Sequence, residues 1–122
     1  MTAYTLRYEK RPWTLNLERQ GAGGGKYKRA ALTKEWRAEF AKLAEGLAPL
    51  ALCEVTVQPE TRSNVMADTG ACVGAAKAAI DGLVDAGVLT DDGPKIVRRL
   101  TFLAPVNTGT DALVITIEGE AA

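Results

Sequence analysis

The chain contains no histidine. That absence excludes Ser–His and Cys–His nucleophilic catalysis, imidazole acid–base work and the commonest ligand of zinc and other transition metals. Only two cysteines are present, Cys53 and Cys72, too few for a zinc site without histidine. In a reducing compartment both are expected to be free, with one or both buried as small apolar side chains. Long apolar runs are missing too: hydrophobic stretches are interrupted by charge far short of a membrane span. The opening residues, Met1 to Arg7, lack the apolar core of a signal peptide, so the expected location is the cytoplasm, with no membrane partner. Chemistry in such a chain must come from carboxylates, lysine, or a hard cation held by oxygen.

What is present fits one soluble domain over residues 1–122, with 47% hydrophobic and 25% charged residues. The net charge of zero conceals a division. Up to residue 42 there are ten basic residues against four acidic ones, so the remainder carries the opposite excess. A basic front half is a hint of nucleic-acid contact, and a surface that balances on folding is the plainer account.

Residues 4–9 alternate as a strand, Pro12 interrupts, and 13–17 resume an extended pattern. Residues 21–29 (G-A-G-G-G-K-Y-K-R) read as a flexible basic loop. They are not a phosphate-binding P-loop, because the glycine spacing is short and Tyr27 stands where Ser or Thr is needed. No nucleotide cofactor is therefore expected. Thr33 can cap a helix running to about Gly46, with Trp36, Phe40, Leu43 and Leu47 as one apolar stripe. Residues 51–57 read as a strand and 58–64 as a loop. A second helix is expected from about Cys72 to Gly87, apolar along Val73, Ala76, Ala79, Ile80, Leu83 and Val84. Its other edge carries Lys77, Asp81 and Asp85 at four-residue spacing, so Lys77 and Asp81 should touch. Small residues, Gly82 among them, allow this helix to lie close against a neighbour. Residues 95–103 and 112–118 read as two strands of a hairpin. The fold class is α+β: a mixed sheet with two main helices packed on one face.

The stretch from Asp68 to Asp92 concentrates the chemistry. Lys77-x-x-x-Asp81-x-Leu83 followed by Ala86-Gly87-Val88-Leu89-x-Asp91-Asp92 resembles the RusA-like family of Holliday junction resolvases, enzymes typical of bacteriophages and prophages. Pro12, Leu15 and Asn16 resemble that family's first-strand Pro/Asn motif, and the basic loop, the Trp36 helix and the closing strands follow in the same order. Motif identity is concentrated in Lys77–Asp92. The family places a D-x-D-N segment shortly before the lysine. Asp68-Thr69-Gly70-Ala71 can stand over it, with Gly70 at the second acid and three more residues before Lys77.

The resemblance implies a metal-dependent endodeoxyribonuclease that cuts four-way DNA junctions symmetrically in recombination and repair. Asp68 and Asp92 are then the metal-binding, catalytic acids, with Asp91, Asp81 or Glu60 available to replace the missing one and Lys77 facing the scissile phosphate. The cation is Mg2+ or Mn2+. Asn16, Arg19, Lys26, Tyr27, Lys28 and Arg29 are the expected DNA contacts, joined by Lys10 and Arg11. Two cuts need two sites, so a homodimer is implied. The alternative is a non-catalytic branched-DNA-binding protein on the same fold, with Gly70 as the reason for lost cleavage.

Overall fold

The computed structural model describes residues 1–18 and 24–122. Five strands form one mixed, open sheet: β1 (Thr2–Tyr8), β2 (Leu50–Thr61), β3 (Val97–Phe102), β4 (Val106–Asn107) and β5 (Ala112–Ala121). Three helices accompany it: α1 (Leu15–Glu18), α2 (Gly24–Leu43) and α3 (Val73–Asp85). The lateral order is β1-β5-β2-β3, with β4 pairing beyond β3 along the same side of β2. β5 is antiparallel to both of its neighbours, and β3 and β4 are parallel to β2. The chain leaves β2, crosses through α3 and returns in the same direction as β3, which is how a helical crossover yields a parallel pair.

The α+β architecture with helices over one sheet face is as expected. The hairpin is not. Residues 97–102 and 112–121 never pair, because β5 inserts between β1 and β2. Burial gives the reason. Leu113, Ile115 and Ile117 are wholly buried and suit a central strand, whereas Arg98 and Arg99 of β3 are exposed and suit an edge. Strand β2 also runs past Val57 to Thr61, through residues expected to be a loop. Pro59 is tolerated at the gap between the Val57–Phe102 and Glu60–Val106 pairings, where the ladder on that side is interrupted.

Helix α2 starts nine residues before Thr33, which lies in its interior and caps nothing. Residues 24–29 are therefore helix, not flexible loop. Lys26 to Leu32 contains no breaker, and Lys, Arg, Ala and Leu all favour helix. Residues 21–23 of the expected loop, and Arg19, lie outside the described residues. Residues 15–18 form a short helix, not an extended strand, tied down where the Leu15 N–H donates to Ala71 O at 2.9 Å.

One core joins the sheet to the helices. Trp36 and Phe40 of α2, with Ala76, Ile80 and Leu83 of α3, cover Val55, Val57, Ile115 and Ile117. Trp36 contacts Trp13 and Tyr8 edge-on, with centroids 5.9 Å and 4.8 Å apart. The small residues of α3 are used against α2. A β-carbon on Gly82 would meet Arg37 O at 2.4 Å, so the helices touch nearly backbone to backbone. Cys53 and Cys72 are both free and buried, as expected, and burial pushes both thiols up.

Candidate functional site

The end of α3 sets the position of the paired aspartates. Gly87 has φ +81, a left-handed conformation that glycine adopts without a steric penalty. Its N–H donates to Val84 O at 3.0 Å, and Val88 N–H donates to Leu83 O at 3.1 Å, the two bonds of a Schellman cap. Val88 and Leu89 then turn into the core, and Val88 O accepts the Leu50 N–H at 2.8 Å. The chain therefore emerges at Thr90–Asp92 against the outer edge of α3. Asp91 Oδ1 accepts the Asp92 N–H at 2.8 Å, which is a turn contact.

Lys77, Asp81 and Asp92 come together there. The Lys77 ammonium pairs with Asp92 Oδ2 at 3.3 Å. This corrects the expectation that Lys77 pairs with Asp81, one turn along its own helix: the loop brings a better-placed acceptor. The Lys77 hydrogen bond holds the Asp92 carboxyl below its ordinary range. Asp81 is pushed the other way, first by burial and then by the nearby Asp92 charge, with Arg37 and Lys77 opposing. Two carboxylates thus face one another beside one ammonium. Asp85, the third residue of this edge, is drawn off to Arg37 of α2 at 2.5 and 2.8 Å.

Asp68 occupies a different place. Residues 68–71 form a tight turn, closed by Ala71 N–H to Asp68 O at 3.0 Å. Gly70 supplies its left-handed corner, with φ +81. A residue with a β-carbon there would carry backbone strain. Asp68 is exposed and lines a cavity of about 420 Å³ shared with Asn16 and Thr14. Among the described residues, no group of three or more Asp, Glu or Cys side chains could hold a metal ion, so Asp68 does not complete a set with Asp81 and Asp92. The helix separates them. Asp81 lies eight residues into α3, about 12 Å along its axis, while Asp68 precedes its start. Glu60 lines a second cavity together with Asp68; Arg7 pairs with it at 2.8 Å and Thr108 donates to it at 3.3 Å.

The expected DNA-contact residues fall into separate places. Lys26, Tyr27 and Lys28 are exposed on the first turns of α2, Tyr27 at 75%. Two positions apart on a helix, Lys26 and Lys28 point about 160° apart. Lys28 faces a groove of about 390 Å³ that it lines with Arg11, Trp13 and Asn16. Arg29 instead donates to Leu17 O at 2.9 Å and straps α1 to α2. Part of the basic front half is spent in pairing with downstream acid, as in Arg7–Glu60 and Arg37–Asp85. Lys10 is held by Glu35, which also accepts from Tyr8 at 2.6 Å; burial first, and then this bond, push the Tyr8 phenol up to about 12. Sequence reasoning missed Arg37 as the clamp on Asp85, and no local pattern could show it, since the partners are 48 residues apart.

Among the described residues, no helix is long and apolar enough to cross a membrane. No protein-family model matches the chain, and none of the curated proteins matches it.

Proposed function

We propose that the chain is a RusA-like endodeoxyribonuclease that binds four-way DNA junctions and hydrolyses their phosphodiesters with Mg2+ or Mn2+, acting as a homodimer in the cytoplasm of a phage host. The observation that carries this reading is the meeting of Asp81, Asp92 and Lys77 at the end of α3. Mg2+ needs only one or two carboxylates when water and substrate phosphate complete its shell, and a facing pair of oxygen donors fits that demand. Asp81 and Asp92 are the residues that would hold it, and the bound ion would supply charge relief on the phosphate and an activated water. Lys77 keeps Asp92 ionised and offers a fixed positive charge beside it. Asn16 and Asp68 line a separate cavity before the start of α3; Asn16 is assigned to the DNA strand, and Asp68 is not assigned to this ion.

The test is a synthetic four-way junction incubated with the protein in Mg2+, in Mn2+ and in chelator. Paired, metal-dependent nicks are expected, with Asp92→Asn abolishing them and leaving junction binding intact. Cleavage that survives Asp92→Asn would refute the site. The second reading, a non-catalytic branched-DNA-binding protein, is favoured by the left-handed Gly70 and by the separation of Asp68 from the pair. It predicts binding without nicks in either metal.

A further inference from the structure

The 390 Å³ groove differs from its neighbours in having a purely cationic charged lining. Arg11 reaches it from the segment after β1, and Lys28 from the start of α2. Neither makes an ion pair among the described residues, although Arg7, Lys10 and Arg37 all do. Among the described residues, two cations without an ion pair thus line one hollow. Trp13 lines it at 8% exposure, braced against Trp36, and Leu17 and Leu32 add apolar surface. A phosphodiester has the matching chemistry: an anion between two sugars with apolar faces. Asn16 lines both this groove and the 420 Å³ cavity of Asp68, so α1 is a common wall between them. That wall is fixed on both sides, by Arg29 to Leu17 O and by Leu15 N–H to Ala71 O.

We infer that the groove seats one phosphodiester of a bound DNA strand, with Arg11 and Lys28 on its oxygens, and that the strand passes over α1 at Asn16 toward Asp68. This rests on the branched-DNA reading above and adds the strand's path to it. Arg11 and Lys28 are positioning residues, remote from the reacting atoms. A free phosphate would offer the same charge without the sugars, and the test separates the two.

Binding of a labelled four-way junction is measured by anisotropy between 50 and 400 mM salt for the wild type, Arg11→Gln, Lys28→Gln, the double variant and Lys42→Gln, an exposed cation in the last turn of α2. Thermal melts check that each variant folds. Each groove substitution is expected to weaken binding about eightfold at 0.1 M salt and to lower the log–log salt slope by about 0.9, with Lys42→Gln leaving both unchanged. A merely structural role would not move the slope. Wild-type binding with unaltered slopes in the groove variants would overturn the inference and leave the branched-DNA reading standing. If the wild type binds no junction, that reading falls, and the groove is judged by the Trp13 indole NMR signal. A shift with a thymidine dinucleotide, lost in the double variant, supports a phosphodiester seat. A shift with inorganic phosphate alone, or none at all, overturns it.

Discussion

Replacing Gly82 by alanine tests the α2–α3 contact on which the site is built. The new β-carbon would stand 2.4 Å from Arg37 O, 2.9 Å from Ala41 N and 3.1 Å from Phe40 Cβ. Two of these three are backbone atoms, so no rotamer change relieves the overlap. Ordinary contact begins near 3.4 Å, so the helices must part by about 1 Å. Parting them lengthens the Arg37–Asp85 bonds and loosens Ala79 and Leu83 against their neighbours. Overpacking costs about 1–3 kcal/mol, and a backbone clash belongs at the top of that range. Against it stands the better helix propensity of alanine, about 1 kcal/mol. The net loss is then about 2 kcal/mol. For 122 residues, with an unfolding entropy of about 2.1 cal/mol/K each, that lowers Tm by about 8 °C. Thermal melts and urea titrations are the assays, with a lower midpoint and an unchanged m-value expected. A Tm equal to or above wild type would refute the reasoning, because propensity alone would then govern the position.

Three further outcomes follow from the site. Asp81 ionises less readily in the folded chain than in the unfolded one, so its charge lowers stability above its folded pKa and costs nothing below the unfolded value near 3.9. Asp81→Asn should therefore melt higher than wild type at pH 7, with the difference closing by about pH 3; a pH-independent difference would contradict the assigned cause. Mg2+ at ten times its Kd should add about 1.4 kcal/mol, or about 5 °C, to the wild type and nothing to Asp92→Asn, read by melts against KCl at equal ionic strength. Gly70→Ala should cost about 1 kcal/mol in urea titrations through backbone strain alone, since nothing lies within 4 Å of its added carbon, and Gly70→Asn should cost less; equal losses would argue against a left-handed corner.

Local chemistry was legible where residues answer to near neighbours. The periodicity of Val73, Ala76, Ile80 and Leu83 located α3, and Gly87 marked its end. Burial of Cys53 and Cys72 followed from residue type. The start of α2 was hidden because glycines beside lysines resemble a loop in composition, while Lys26 to Leu32 form a good helix. Alternation at Leu113, Ile115 and Ile117 identified a strand but not its partners, since pairing is decided by distant residues. The same limit affected the site. Helical spacing put Asp81 beside Lys77, but only the fold could bring Asp92 in as its partner.

The lateral order of the strands also bears on synthesis. Strands β1 and β2 share no backbone ladder; each pairs with β5, which is made after everything else they pair with. Until residues 112–121 have left the ribosome, Leu6, Val55 and Val57 lack the strand that completes their core, and the backbone edges of β1 and β2 stand open. The sheet can therefore close only late, by long-range pairing of β5 with both strands.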